Sequence, residues 1–327
     1  MHILIMGAAG MVGSKLTKRL IQDGGLAGKA IDRLNLVDWV EPVLPTGVPF
    51  RVDTRDADLA DPGIAEDIVK SRPDVIFHLA AIVSGEAEAD FDKGYRVNLD
   101  GTRLLFDAIR KAGGGYRPRV VFTSSIAVFG APFPEAIGDE FFETPLTSYG
   151  TQKAISELLL SDYTRRGFMD GVGIRLPTIC VRPGKPNKAA SSFFSGIIRE
   201  PLAGQEAILP VSESVRHWHA SPRSAVGFLI HAAGIDGERL GARRNLSMPG
   251  VSVTVGEQIA ALKAIAGGAV AARIRREPDP TIAGIVAGWP RNFRPERATA
   301  LGFRAETSFE EIIRVHIEDE LSGAWVK

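Results

Sequence analysis

The chain contains a tyrosine and a lysine four residues apart, Tyr149 and Lys153, and a pair of serines, Ser124 and Ser125. These residue types can take the proton of an alcohol and hold its oxygen while a cofactor accepts the hydride. Tyrosine and lysine four residues apart share one face of a helix. An ammonium beside a phenol favours the phenolate, although the ordinary phenol pKa of about 10 leaves it protonated at neutral pH. Such a phenolate accepts the proton of a substrate hydroxyl while hydride leaves the same carbon. A serine hydroxyl would hold the substrate oxygen.

A glycine-rich loop near the start of the chain strengthens this interpretation. Gly7, Gly10 and Gly13 follow the apolar run 2–6 and precede a helical pattern. The order strand, glycines, helix is the context that a dinucleotide-binding fingerprint requires. We expect Gly7 to permit a tight turn, Gly10 to let backbone amides approach a pyrophosphate, and Gly13 to let helix and sheet pack closely.

Asp38 ends the next predicted strand, 34–38. A carboxylate at this place binds the ribose hydroxyls of NAD and repels the additional phosphate of NADP. The sequence therefore predicts NAD as the cofactor.

Further apolar strands at 50–53, 74–79, 119–123 and 173–176 alternate with helical patterns at 61–70, 98–112 and 148–167. Continuous apolar strands separated by helices indicate a parallel sheet that is covered on both faces and binds ligands at the carboxyl ends of its strands. We predict an α/β fold, a Rossmann-type doubly wound parallel sheet with a smaller, interleaved C-terminal substrate domain. The NAD-binding domain would comprise residues 1–178 and about 220–235. The substrate-binding part would comprise 179–219 and 236–327.

The composition excludes several classes of protein. Lysine plus arginine equal aspartate plus glutamate at 39 each among 327 residues, so no basic field draws the chain to nucleic acid. The one cysteine, Cys180, indicates a reducing compartment. No apolar run approaches the roughly 18 residues of a membrane span. A cytoplasmic enzyme without membrane contact is expected.

Several motifs occur in a fixed order over roughly the first 180 residues and together resemble the extended short-chain dehydrogenase/reductase superfamily, which includes the nucleotide-sugar epimerases and dehydratases. Besides the features above they are Asp58-Leu59, His78-Leu79-Ala80-Ala81, Asn98-Leu99-Asp100-Gly101-Thr102, Ser124-Ser125-x-x-Val128-Phe129-Gly130 and Pro177-Thr178-Ile179.

The resemblance implies that Ser125, Tyr149 and Lys153 are catalytic, since Ser125 rather than Ser124 has the superfamily's spacing to Gly130. The resemblance also implies that Asn98 is the structural asparagine near Lys153. The implied NAD contacts are Gly7, Gly10, Met11, Val12, Gly13, Asp38, Asp58, Leu59, Leu79, Ala80, Ala81, Asn98, Thr123, Tyr149, Lys153, Pro177, Thr178 and Ile179, the last three beside the nicotinamide amide.

The substrate region departs from the nucleotide-sugar enzymes, because Arg216-His217-Trp218-His219 stands where they usually carry Arg-Asp-Phe. The whole chain instead resembles a branch of the superfamily that oxidises a four-carbon sugar acid, D-erythronate, at its 2-hydroxyl. Arginine suits a carboxylate because its planar guanidinium binds it with two hydrogen bonds. Predicted substrate contacts are Ser84, Ser125, Tyr149, Arg182 and Arg216, with Lys185 a weaker choice.

Two alternative functions and two questions about single residues stay open at this level. The chain could be an epimerase or dehydratase that keeps NAD bound, or a binding module without turnover, although sensors of this fold often lose the tyrosine or lysine. Ser84 could cap a helix instead of binding substrate. For His217 and His219, a role in packing or in a substrate hydrogen bond is favoured over metal binding. No metal is predicted, because hydride transfer to NAD needs none. The resemblance further implies a homodimer.

Overall fold

The computed structural model describes residues 1–44, 46–184 and 190–326. The strands, in chain order, are β1 (His2–Met6), β2 (Gly25–Leu26), β3 (Lys29–Ala30), β4 (Arg33–Asp38), β5 (Arg51–Asp56), β6 (Val75–His78), β7 (Arg119–Ser125), β8 (Ile137–Gly138), β9 (Asp170–Leu176), β10 (Thr178–Ile179), β11 (Ala207–Leu209), β12 (Arg216–Ala220), β13 (Asn245–Ser247), β14 (Val251–Thr254), β15 (Ile274–Arg276) and β16 (Phe293–Arg294).

The α-helices are α1 (Met11–Asp23), α2 (Ile64–Val69), α3 (Ser84–Ala89), α4 (Phe91–Gly94), α5 (Gly101–Ala112), α6 (Ser148–Arg165), α7 (Ser192–Leu202), α8 (Pro222–Gly234), α9 (Val255–Ala266), α10 (Gly268–Ala271), α11 (Pro280–Ala287), α12 (Glu296–Ala300) and α13 (Phe309–Glu320). A π-helix spans Tyr95–Asp100, and 3-10 turns span Ile126–Val128 and Gly237–Leu240.

The first compact unit comprises Met1–Val128, Thr147–Leu176 and Val226–Ser247. Among its described residues, seven parallel strands form a sheet in the order β13-β9-β7-β6-β1-β4-β5. The chain runs outward from β1 in one direction and then returns to build the other half from β6. The order reverses beside β1, which is where open sheets of this kind bind ligands. The predicted α/β fold is confirmed.

The central strands are buried because both faces of the sheet are covered. Ile3, Leu4 and Ile5 have no exposed surface, and Phe77 and Phe122 on neighbouring strands are equally enclosed. Such continuous burial explains why these strands read as uninterrupted apolar runs rather than as alternating patterns. One core cluster joins strand residues such as Leu4 to helix residues such as Phe106.

The second compact unit comprises Phe129–Leu146, Pro177–Ala225 and Met248–Lys327. It contains a small sheet in the order β10-β12-β14 and the pairs β11-β15 and β8-β16. Its core packs α7, α9 and α13 around side chains such as Phe194, Leu262 and Ile313. Thr254 and Glu257 form a capping box at the start of α9.

The compact units differ from the predicted domains in two longer segments, 129–146 and 236–247, and in the short segments 177–178 and 220–225, which cluster with the second unit. Residues 129–146 cluster with the second unit, in which β8 pairs with β16. Residues 236–247 cluster with the first unit, because β13 is added to the sheet beside β9. Which unit binds NAD and which binds substrate stays a prediction. No helix among residues 1–44, 46–184 and 190–326 is both long and apolar enough to cross a membrane.

Candidate active site

The glycine loop lies between β1 and α1, and each glycine meets a different constraint. Gly7 has φ of 89°, in the left-handed region that glycine adopts without strain. A Cβ there would lie 2.6 Å from the Ala80 backbone nitrogen. A Cβ on Gly13 would lie 2.1 Å from the Gly7 carbonyl oxygen, so the start of α1 packs directly on the loop.

Gly10 is different, since a Cβ there would meet only the Gly7 carbonyl oxygen, at 3.4 Å. Gly10 is exposed and precedes the first turn of α1, which holds no acidic residue. Packing within the protein therefore does not require glycine at position 10. The open space before a helix N-terminus fits the predicted approach of a pyrophosphate to backbone amides. The loop residues fit a dinucleotide.

Asp38 connects the end of β4 to this loop. Its Oδ2 accepts a hydrogen bond of 2.8 Å from the Ala9 backbone N–H, and its Oδ1 accepts one of 2.8 Å from that of Trp39. The side chain is largely buried. These bonds fix the carboxylate at the rim of the sheet while each oxygen retains capacity for another donor, as ribose binding requires.

Asp58 and Leu59 follow β5 at the same rim. The Asp58 carboxylate accepts a hydrogen bond from the Ala60 backbone N–H and pairs with Arg96 at 2.8 Å. Burial acts to raise the pKa of Asp58, but its hydrogen-bond partners and the charges of Arg96 and Lys93 lower it overall. The group is therefore an anchored carboxylate, able to accept hydrogen bonds but not to donate them.

Tyr149 and Lys153 lie in α6, whose start is capped by Thr147 accepting a hydrogen bond from the Gly150 backbone N–H. The Lys153 ammonium lies 5.7 Å from the centre of the Tyr149 ring and 4.8 Å from that of Phe122. Its Nζ donates a hydrogen bond of 2.8 Å to the Thr123 carbonyl oxygen. The structure thus brings the predicted base and the ammonium together.

Lys153 is almost completely buried. Burial lowers its pKa to about 7, and the negative charge of Glu157 opposes this decrease. Its ammonium therefore titrates near neutral pH, which is the range in which proton transfer is most useful.

The two serines at the end of β7 have separate partners. Ser125 Oγ accepts a hydrogen bond of 3.1 Å from the Ala127 backbone N–H, so its hydroxyl hydrogen can be donated elsewhere. Ser124 is buried and donates to a carboxylate oxygen of Glu157 at 2.5 Å. This arrangement favours Ser125 over Ser124 as the residue that holds a substrate oxygen.

Asn98 lies in the π-helix and is buried. Its Oδ1 accepts a hydrogen bond from the Ile82 backbone N–H, and its Nδ2 donates one of 2.8 Å to Gln152 Oε1. Gln152 precedes Lys153 in α6, so Asn98 joins the segment after β6 to the helix that carries the base.

The remaining predicted positions of the first unit lie in β7, after β6 and at the start of α3. Leu79, Ala80 and Ala81 come directly after β6, and Thr123 lies in β7 with its hydroxyl donating to the His78 carbonyl oxygen. Ser84 begins α3, where Val83 rather than Ser84 occupies the N-cap position. The capping alternative for Ser84 is therefore wrong.

In the second unit, Pro177 precedes the strand β10, which is formed by Thr178 and Ile179. Thr178 Oγ1 lies 2.6 Å from His217 Nε2, and His219 Nε2 lies 2.9 Å from Gln258 Nε2. Burial lowers the pKa of His217 to about 4 and that of His219 well below its ordinary value. Both histidines are therefore buried and neutral in β12. Among the described residues, no group of His, Cys, Asp and Glu is arranged to hold a metal ion.

The two predicted carboxylate-binding arginines also belong to the second unit. The Arg182 main chain is held by α7, since its N–H donates to Ser195 Oγ at 3.0 Å and its carbonyl accepts from Arg199 at 2.7 Å. The Arg216 guanidinium donates to the Ser252 carbonyl oxygen and pairs with Glu257 at 3.2 Å. Lys185 lies outside the described residues.

Sequence reasoning missed Glu157 and Arg175. Glu157 has no exposed surface, and Arg175 binds both of its carboxylate oxygens from β9, 18 residues further along the chain. The only signal in the sequence is a carboxylate four residues after Lys153 on the same helix face.

Comparison with known proteins agrees with this geometry. Residues 3–221 match the NAD dependent epimerase/dehydratase family. The chain is 50% identical to the D-erythronate dehydrogenase of Cupriavidus necator over 323 residues, which covers 98% of both chains. It is 43% identical to the D-erythronate dehydrogenase of Haemophilus influenzae over 321 residues, covering 98% of this chain and all of that one.

Solved structures have the same fold. A crystal structure described as the nucleoside-diphosphate-sugar epimerase from Agrobacterium tumefaciens is 70% identical, with a TM-score of 0.97, and the match covers 99% of this chain and 95% of that one. The L-threonine 3-dehydrogenase of Trypanosoma brucei, 23% identical with a TM-score of 0.86, covers 100% of this chain and 99% of its own, and shows the fold alone.

The matching family spans more than half of the chain and includes the glycine loop, the serine pair, and the tyrosine and lysine of α6. The predicted resemblance and the predicted cofactor are therefore confirmed. The chain belongs to the NAD dependent epimerase/dehydratase family, and its cofactor is NAD.

Proposed function

We propose that the chain is an NAD-dependent dehydrogenase of a four-carbon sugar acid and that it oxidises D-erythronate at the 2-hydroxyl to the 2-oxo acid. The observation that carries the proposal is the similarity, over 98% of both chains, to a relative named D-erythronate dehydrogenase. A second relative with the same name is similar over its whole length. The closeness of Lys153 to Tyr149 within α6 supports the chemistry.

The reaction removes two hydrogens from the substrate, and the chain's own residues handle the proton. The C2 hydroxyl gives its proton to the Tyr149 phenolate as the C2–O bond becomes a carbonyl. Lys153 favours the phenolate with its positive charge, and the Thr123 carbonyl holds that ammonium in place. Bound NAD supplies the acceptor for the hydride that leaves C2.

Ser125 has the role of holding the reacting oxygen. Its Oγ already accepts the Ala127 backbone N–H at 3.1 Å, so the hydroxyl hydrogen is the part that remains for a substrate. A donor fixed in this way stabilises an alkoxide-like oxygen without having to reorganise during the reaction.

A sugar acid also needs a partner for its carboxylate, because burying an unpaired carboxylate costs several kcal/mol. Arg182 is the first choice, since its main chain is fixed by a hydrogen bond that its N–H donates to Ser195 and by one that its carbonyl accepts from Arg199. Arg216 is the second choice, because its guanidinium already binds Ser252 and Glu257.

A second candidate function is a nucleotide-sugar epimerase that keeps its NAD bound. The 70% identical crystal structure with that description favours it. The stretch Arg216-His217-Trp218-His219 disfavours it, since in this chain it forms β12 with both histidines buried.

The two functions differ in whether reduced cofactor accumulates. Purified protein should be mixed with NAD and, separately, D-erythronate, a threonate or UDP-glucose, while the absorbance of NADH is followed. We expect NADH to form in proportion to the erythronate supplied, and we expect no epimer from UDP-glucose. Formation of an epimer without net NADH would contradict the dehydrogenase function and support the epimerase function.

A homodimer is part of the proposal. Phe91 of α4 and Leu158 of α6 are 57% and 67% exposed, which is high for large apolar side chains on helices. Exposed apolar side chains on these two helices support pairing with a second copy. Sedimentation analysis should give twice the chain mass, and Leu158→Glu should reduce it to a monomer.

A further inference from the structure

A buried charge cluster lies next to the proposed catalytic residues, and its members are Ser124, Glu157 and Arg175. Glu157 has no exposed surface, and Arg175 is also buried. Arg175 Nη2 lies 2.6 Å from Glu157 Oε2, and its Nε lies 3.0 Å from Oε1. Ser124 donates to the same Oε1 at 2.5 Å. The carboxylate is thus held by an arginine with two hydrogen bonds and by one hydroxyl.

The cluster connects the three elements that bear on the proposed chemistry. Glu157 lies one turn after Lys153 and two turns after Tyr149, on the same side of α6. Ser124 immediately precedes Ser125 in β7. Arg175 lies opposite Ser124 in the neighbouring strand β9. The carboxylate therefore joins the helix that carries the base to the strand end that carries the serine.

The cluster also sets the charge around Lys153. The charged and titratable groups that act on this ammonium are Tyr149 and Glu157 from its own helix, His78 from β6 and, through its pair with Glu157, Arg175 from β9. Burial and the charge of Lys153 lower the pKa of His78 to about 3, so His78 is neutral. Glu157 is the negative charge that opposes the effect of burial on Lys153.

We propose that Glu157 is a positioning residue, which fixes α6 to the strand ends through Ser124 and Arg175 and supplies a negative charge that favours the protonated form of the buried Lys153. The proposal rests on the proposed function, in which Tyr149 accepts the proton and Lys153 stabilises its phenolate. A buried ion pair stabilises a fold little compared with apolar residues of the same volume. An effect of Glu157 on the protonation of Lys153 gives a reason for the buried ion pair that fold stability alone does not.

The charge role is tested by titrating Lys153 directly in the protein without added cofactor. Lysine labelled with carbon-13 at Cε gives a resonance for each side chain, and Lys153→Arg identifies the one that belongs to Lys153. Glu157→Gln removes the negative charge, so the titration midpoint should fall by about one pH unit. Arg175→Gln leaves the carboxylate unpaired, so the midpoint should rise by a similar amount. Arg175→Lys keeps the charge and should restore most of the original value.

The same variants should change the pH profile of kcat/KM with D-erythronate. The alkaline limb should move to lower pH in Glu157→Gln and to higher pH in Arg175→Gln. A purely structural cluster would lower the unfolding temperature in both variants without moving the midpoint in opposite directions. Equal midpoints for Lys153 in all folded variants would overturn the charge role.

Ser124→Ala tests the positioning role without changing any charge, and it remains informative if the charge variants do not fold. We expect kcat to fall about three- to tenfold while the Lys153 midpoint stays constant, because the strand end is no longer tied to Glu157. Unchanged kcat in Ser124→Ala would overturn the positioning role. Full activity in Tyr149→Phe would instead refute the proposed function, so the two failures are distinguishable.

Discussion

The Lys153 ammonium donates a hydrogen bond of 2.8 Å to the carbonyl oxygen of Thr123. This bond joins α6 to the carboxyl end of β7, two residues before Ser125. A buried ammonium needs such a partner, since an unpaired charge is costly away from water. The bond therefore fixes the distance between the helix that carries Tyr149 and the strand that carries the serine.

Tyr149→Phe should abolish most of the turnover while leaving the fold intact. The phenylalanine ring keeps the packing of α6, but the proton acceptor is gone, so kcat should fall by about 10²–10⁴. Steady-state kinetics with D-erythronate and NAD measures this, with the unfolding temperature as a control for folding. Near-normal kcat would identify another residue as the base.

Lys153→Met should stabilise the protein without cofactor at neutral and low pH. Burial lowers the pKa of Lys153 to about 7 from an ordinary 10.5, so between these values the unfolded chain binds a proton that the folded chain does not. The free energy of unfolding of the unmutated protein therefore rises with pH across that window. The advantage of the variant, on the order of a few kcal/mol below pH 7, should shrink towards pH 10.5.

Urea unfolding at several pH values measures this advantage, and Lys18→Met, at an exposed position, is the matched control. A constant difference between Lys153→Met and the unmutated protein at all pH values would show that the folded and unfolded states titrate alike.

Asp38→Asn should narrow the preference for NAD over NADP. The amide keeps a side-chain oxygen for the Ala9 backbone N–H but removes the negative charge that repels the 2′-phosphate of NADP. We expect the ratio of kcat/KM for the two cofactors to fall by about tenfold or more, equivalent to about 1.4 kcal/mol. Equal efficiency with NAD and NADP in the unmutated protein would contradict the role of Asp38.

Arg182→Ala should raise KM for D-erythronate by about tenfold or more and leave the Kd of NAD nearly unchanged. Arg216→Ala should have the smaller effect, because Glu257 already pairs with that guanidinium. Arg239→Ala, at an exposed position of the first unit, is the control for loss of a positive charge. An unchanged KM in Arg182→Ala would eliminate Arg182 as the anchor, and equal turnover of neutral polyols would eliminate the need for any anchor.

The sequence predicted the elements whose signal is local. β1 and β7 are apolar runs long enough to be recognised, and the turn at Gly7 depends on residues within a few positions.

What the sequence did not predict depends on distant partners. β13 has three residues, and it is a strand only because it pairs with β9 more than seventy positions earlier. Glu157 resembles any helix-surface carboxylate until the fold places Arg175 and Ser124 against it. The ion pair of Arg216 also depends on a distant residue, because its partner Glu257 lies at the start of α9.

The most direct measurement of the central claim uses D-erythronate carrying deuterium at C2. Oxidation at the 2-hydroxyl moves that deuterium to the cofactor, so we expect singly deuterated NADH by mass spectrometry, a reduced kcat/KM if hydride transfer limits the rate, and no product from Tyr149→Phe. Unlabelled NADH, formed while the acid keeps its deuterium, would show that another carbon is oxidised and would contradict the proposed reaction.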